Sequence, residues 1–193
     1  KIALPSSEFQ ESLQQLAHIV RALGTTLGVR LDVGGERIFV VDNLGNLVPS
    51  TTLAAAMALL MLRGAGGGKV AVPVSAPNVF EAIAAANGGQ IVRTRANLQA
   101  LMRAANAPGV ILAADGNGSL ILPRLHPVVD GMFAVVALLE ALVLQRTTLA
   151  ETIAQVPPFY TATEQVDCPW EFKGTVMRRL NEMYKDRLAR QID

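Results

Sequence analysis

Between residues 69 and 114, short apolar runs alternate with helical patterns at a spacing that few architectures can satisfy. Residues 69–74 form a nearly continuous apolar strand, 78–87 a helix, 90–93 a strand, 97–105 a helix and 109–114 another apolar strand. Strands buried on both faces lose the polar/apolar alternation, and connections of this length suit a helix that returns over the sheet. The block therefore predicts βαβ units and a largely parallel sheet. Asn78, with Glu81 three residues later, reads as a helix cap. Ligands of such sheets bind beyond the carboxyl ends of the strands. Three loops are expected to wall a site: 75–78, 94–97 and 115–119. Arg95 can pair bidentately with phosphate, while Asp115, Asn117 and Ser119 offer acceptors and donors suited to sugar hydroxyls. Solvated loop residues, with glycines present only for turn geometry, are the other reading of the same stretch.

Upstream, residues 27–42 hold two runs rich in Val, Ile, Leu and Phe around Gly34-Gly35, which predicts strand, tight turn, strand. Asp32 enters the turn, Glu36 leaves it and Arg37 follows. Carboxylates on a Gly-rich turn can hold a divalent cation. Magnesium needs only one or two of them when waters and a substrate phosphate complete its shell. An ordinary hairpin with charged residues at its rim is the alternative.

The rest of the chain frames these stretches. Ser6 or Ser7 can cap a helix over 8–22 that Gly24 ends, and His18, beside its apolar stripe and without a ligand-spaced partner, reads as a structural histidine. Residues 43–46 form a turn, and 49–52 start a helix running to Arg63. Its Ala, Leu and Met cover every face, which predicts burial between two layers. The Gly-rich stretch 64–68 lacks a following Lys-Ser/Thr and leads into a strand, so it is no nucleotide-phosphate loop. Residues 120–123 read as a short strand, and Asp130-Gly131 opens a helix to Leu144. Thr147 or Thr148 caps another helix to Gln155, after which Pro157-Pro158 breaks the chain. Beyond it 159–166 looks extended and 175–190 helical.

Composition excludes several classes. With 51% apolar and 17% charged residues the chain has ample material for a core. Seventeen basic against sixteen acidic side chains, with no basic run, argue against nucleic acid as a partner. The longest apolar runs are too short or too interrupted to span a bilayer. The single Cys168 suits a reducing compartment, and a cytoplasmic location is expected. The chain starts at Lys1 rather than Met, which points to a segment of something longer.

Asp32-Val-Gly-Gly-Glu-Arg37 resembles the metal loop of the α-D-phosphohexomutases, the phosphomannomutase/phosphoglucomutase family, whose pattern is Asp-Gly-Asp-Gly-Asp-Arg. Asp32, Gly35 and Arg37 match it, Gly34 replaces the second acid and Glu36 lengthens the third. Residues 68–75 and 87–94 follow the family's third-domain pattern. Arg95 falls where a lysine is common, and Asp115-Gly-Asn-Gly-Ser119 lies where the sugar-selecting loop reads Glu-Glu-Ser-Gly-His. His126-Pro127, Asp130-Gly131 and then Asp167-Cys-Pro-Trp170 continue the order. The resemblance implies a three-layer α/β fold with a mixed, largely parallel sheet like the family's domain 3, plus an α+β C-terminal segment. It divides the chain into 1–46, the tail of a domain-2-like unit with a degenerate metal loop, 47–156, the domain-3-like body, and 157–193, the start of a domain-4-like segment. It implies magnesium at Asp32 and Glu36, held weakly, and a hexose phosphate at Arg95, Asp115, Asn117 and Ser119. Its family carries a phosphoserine loop and an Arg-Ala-Ser-Gly-Thr-type phosphate loop, neither of which occurs in these 193 residues. The Cys-Pro-Trp-Glu entry with altered loops looks like the mutase-like region of bacterial mannose-1-phosphate guanylyltransferase fusions. The remaining domains of such a parent are implied partners, and a homo-oligomer is compatible with it. The expectation is a segment without turnover by itself, the alternative a segment of an active magnesium-dependent mutase.

Overall fold

In a computed structural model that describes residues 7–162, 164 and 166–185, the first helix, α1 (Ser7–Leu23), covers a small antiparallel sheet. That sheet consists of β1 (Gly28–Leu31), β2 (Ile38–Val41) and β3 (Leu47–Val48), in that order. Strand side chains alternate between faces, and here the alternation joins two cores. Val41 packs with Ala17 and Val20 of α1, and Phe39 meets Phe9 edge to face at 4.7 Å. Ile38 and Val40 enter the main core on the other side. His18 corrects its sequence reading: it lies exposed on the outer face of α1, away from the buried stripe of Ala17 and Val20. The cap expected at Ser6 lies outside the described residues.

The helix α2 (Ser50–Ala65) has residues 53–60 and Leu62 all buried, as a helix apolar on every side requires. It packs on β4 (Gly68–Pro73), α3 (Val79–Ala86), β6 (Val110–Ala114), α5 (Gly131–Leu144) and α6 (Leu149–Ala154). With β5 (Gly89–Thr94) and β7 (Leu120–Ile121), the main sheet runs in the order β5-β4-β6-β7. Its first three strands are parallel and β7 returns antiparallel beside β6. Val70, Val72, Leu112 and Ala114 face the α2 side. Ala71, Ala113 and Ile121 face α4 (Leu98–Ala105) through Leu101 and Ala105. The result is a three-layer α/β fold with a mixed, largely parallel sheet; the alternation predicts its parallel strands, and the family resemblance implies its three layers.

Caps follow sequence chemistry in three places and depart from it in one. Asn97 accepts from the Ala100 N–H at 2.8 Å, Asp130 from Phe133 N–H at 2.8 Å, and Thr148 from Glu151 N–H at 3.2 Å. Asn78 does not cap α3. Its Oδ1 is turned toward the Arg93 guanidinium at 3.5 Å, which draws it away from the helix end.

Glu151 closes a capping box by accepting from the Thr148 N–H at 2.8 Å. That bond first, and then the Thr148 and Thr147 contacts, hold its carboxyl below the usual value. A carboxyl lowered on folding adds stability that is present above its unfolded range and lost as pH falls through the lowered value. Glu151→Gln is therefore expected to unfold earlier than the parent at neutral pH and together with it in acid. Thermal unfolding of both at the two pH values checks this, and a gap unchanged in acid would contradict it.

Contacts divide the chain into two compact units, residues 1–159 and 160–193. The hairpin strands and the domain-3-like body share the first, through Ile38 and Val40. In the second, a 3-10 turn (Trp170–Phe172) runs into α7 (Lys173–Tyr184), and no strand occurs among its described residues. The end of the expected 175–190 helix beyond residue 185 lies outside the described residues.

Candidate functional site

Two acid-headed loops are built by one device. Asp32 Oδ1 accepts from the N–H groups of Glu36 at 2.8 Å and Arg37 at 3.1 Å. Asp115 Oδ1 likewise accepts from Asn117 N–H at 2.7 Å and Ser119 N–H at 3.0 Å. A short carboxylate bonding its own downstream backbone closes a turn. Gly35, at φ +69°, supplies the left-handed residue such a turn needs.

The two loops then bond to each other. Ile38 N–H donates to Gly118 O at 3.0 Å, and Arg37 bridges Ser119 in antiparallel register. A Cβ on Gly118 would stand 2.8 Å from Ile38 O, so only glycine permits this approach. Gly131, first residue of α5, donates its N–H to Gly35 O at 2.8 Å, and Thr51 of α2 donates its hydroxyl to Gly116 O at 3.2 Å. Asp32, Glu36, Asp115, Asn117 and Ser119 thus belong to one continuous surface, with Ser119 buried and Glu36 and Asn117 exposed. Sequence reasoning placed Gly118 in the 115–119 wall without a role of its own and did not single out Thr51 or Gly131 for the site. The glycines carried a signal, since each sits in a loop or cap where a side chain is otherwise expected. Thr51 carried none.

Arg95 lies elsewhere on the same end of the sheet. β4 stands between β5 and β6, so Arg95 and Asp115 leave the sheet two strand positions apart, on the order of 10 Å. The 75–78 and 94–97 loops are joined by Val74 N–H to Thr94 O at 2.9 Å. Arg93 ties them further, donating to Ala76 O at 2.6 Å and Pro73 O at 3.0 Å while pairing with Glu81 at 2.8 Å. Its guanidinium is a structural staple. Arg95 is exposed and opens on a cleft between β5 and α4. A cavity of about 740 Å³ with mostly apolar walls lies at the opposite end of the sheet, between the C-terminal turns of α2 and α5, and contains none of these residues.

The hairpin offers a magnesium ion two carboxylates, Asp32 and Glu36, a thin donor set. One oxygen of Asp32 is engaged by two backbone donors, Gly34 carries no oxygen in its side chain, and Glu36 is exposed on the turn. Among the described residues no group of three or more His, Cys, Asp or Glu side chains is placed to hold a metal. No described helix is long and apolar enough to cross a membrane.

Residues 49–160 match the family described as phosphoglucomutase/phosphomannomutase, alpha/beta/alpha domain III. The chain belongs to this phosphohexomutase family. The matched segment carries Arg95 and the 115–119 loop, and the hairpin lies just before it. A phosphopentomutase of Thermococcus kodakarensis is 31% identical over 182 residues, which cover 94% of this chain and 40% of that protein. A protein named "probable phosphoglucosamine mutase" from Methanopyrus kandleri is 31% identical over 180 residues, covering 91% of this chain and 40% of its own length. The phosphohexomutase chain thus spans about two-fifths of the length of these curated relatives. In fold it is similar to a phosphoglucomutase/phosphomannomutase family protein of Burkholderia thailandensis, with TM-score 0.70 and 19% identity over 82% of this chain and 35% of that one.

Proposed function

We propose that this phosphohexomutase segment binds hexose phosphate without turning it over by itself. The observation that carries the proposal is the self-closed hairpin loop, in which Asp32 holds the backbone of Glu36 and Arg37 and Gly34 offers no carboxylate. Phosphoryl transfer depends on positioning and on charge stabilisation of the moving phosphoryl group. A loop that seats a cation only weakly gives up a large part of that stabilisation. Arg95 takes the phosphate, while Asp115, Asn117 and the backbone around Ser119 meet sugar hydroxyls. The names of the relatives, mutases of phosphoglucosamine and phosphopentose, support a phosphosugar as the ligand.

The wider setting belongs to the same proposal. The 1–46, 47–156 and 157–193 parts correspond to the end of domain 2, domain 3 and the start of domain 4 of a cytoplasmic protein of nucleotide-sugar metabolism. A fused sugar nucleotidyltransferase is suggested by Cys168-Pro-Trp-Glu171.

The 193-residue chain, assayed with magnesium, mannose 1-phosphate or glucose 1-phosphate and a bisphosphate activator, is expected to show no turnover above a heat-treated control. Titration with mannose 1-phosphate should shift amides of residues 94–97 and 115–119, and Arg95→Ala or Asp115→Ala should weaken the response. Turnover would restore the alternative, a segment of an active mutase interconverting hexose 1- and 6-phosphates. Silence at high millimolar ligand would reduce the chain to a scaffold.

A further inference from the structure

The open edge of the main sheet carries, near Arg95, a charge that the site above does not use. β5 is an edge strand, and between it and α4 lies a cleft of about 440 Å³. Val92, Arg93 and Thr94 of β5 line one wall, and Ala100, Arg103 and Ala104 of α4 the other. Arg95 stands at its upper end, where β5 leaves the sheet, and the Thr94 hydroxyl bonds Arg95 O at 3.0 Å to set that turn. No acidic residue occurs in the sequence between Glu81 and Asp115. Glu81 is itself engaged by Arg93, which pairs with it at 2.8 Å. Arg103 is exposed, and its side chain has no hydrogen bond or ion pair among the described residues.

We propose that Arg103 is a phosphate-binding residue, which with Arg95 makes the β5–α4 cleft a site for a phosphate monoester dianion. The inference rests on the phosphosugar reading and adds to it a second guanidinium, on α4 across the cleft from β5. A guanidinium presents a planar fork that matches two phosphate oxygens, and two of them on facing walls suit a doubly charged group better than a single carboxylate. Nothing in the cleft lining competes as an anion. Its openness to water keeps the affinity modest and makes it fall with salt.

Inorganic phosphate, mannose 1-phosphate and mannose, each titrated into the full chain and followed by amide shifts, separate the sources. Both phosphate ligands should shift residues 94–97 and 100–104, and mannose should not. Arg103→Ala should weaken both by about fivefold at low salt, a gap that shrinks as salt rises. Arg103→Lys should recover part of it, since the charge returns without the fork. An unchanged response of Arg103→Ala to inorganic phosphate overturns the proposal, as does an equal response of the cleft to mannose. If mannose 1-phosphate shifts only residues 115–119, the phosphosugar reading survives and the Arg103 site falls. If inorganic phosphate shifts the cleft while mannose 1-phosphate leaves 115–119 unmoved, the anion site stands and the sugar reading falls.

Discussion

Gly34→Asp is expected to convert the hairpin loop into a divalent-cation site. A Cβ built on Gly34 would lie 3.6 Å from Glu36 Cγ, 3.7 Å from Glu36 Cδ and 3.9 Å from Asp32 Oδ1, all ordinary contacts. Gly34 is not among the left-handed glycines, so an aspartate fits its backbone without strain. The new carboxylate would enter the space beside the other two, at the position where the phosphohexomutase pattern has its second acid. Three grouped carboxylates repel one another, so the variant should unfold earlier than the parent in chelator. Magnesium or manganese should reverse the order, because a cation bound only by the folded state adds about 2.7 kcal/mol at a concentration a hundredfold above its Kd. Manganese should broaden amides of residues 32–37 in the variant and leave the parent unchanged. Equal broadening in the parent would show that Asp32 and Glu36 suffice, and would remove the ground for proposing a chain without turnover. A variant indifferent to both cations would show that the loop cannot be opened toward a ligand.

Gly131→Ala should destabilise the first unit by about 1–3 kcal/mol, the range for forcing an extra carbon into a filled site. Its Cβ would stand 2.5 Å from Gly35 O, 2.9 Å from Leu31 Cδ2 and 3.1 Å from Ile38 Cγ2. The nearest of these is a backbone carbonyl already bonded to the Gly131 N–H at 2.8 Å, so neither side can move without losing that bond. The strain would act where α5 is seated on the hairpin, and amides of both acid-headed loops should shift. Gly34→Ala serves as the control, since it adds the same methyl group to the hairpin turn against which Gly131 packs, with room for it. Urea unfolding of the three proteins gives the comparison. A Gly131→Ala variant as stable as the parent would mean that α5 does not start against Gly35.

Much of the fold was legible because its signals are local. The runs 69–74 and 109–114 were strands by composition and length, and both lie in the parallel sheet. The all-apolar stretch after Pro49 had to be a helix buried on every side, and α2 is. Thr148 and Asp130 announced helix starts by the chemistry of a short oxygen beside free N–H groups, and both cap. Asn78 carried the same signal and failed, because a guanidinium distant in sequence competes for its side chain. β3, two residues long, lies between the 43–46 turn and Pro49 and was not read, whereas the equally short β7 was, within the apolar run 120–123.

For the site, local chemistry was enough to mark the residues able to act: Arg95, the two acid-headed Gly-rich loops and the order in which they come. It also determined how each loop closes, because an aspartate bonding the backbone two to five residues on is a local event. Which of them meet depends on the packing of the whole unit. Arg37 pairs with Ser119 and Gly131 with Gly35 across long stretches of chain. Arg95 is held apart from Asp115 because the strand order inserts β4 between theirs. Such meetings follow from how helices and strands share one core, where packing sums weak contacts over many residues. No single residue carries that information in its own neighbourhood.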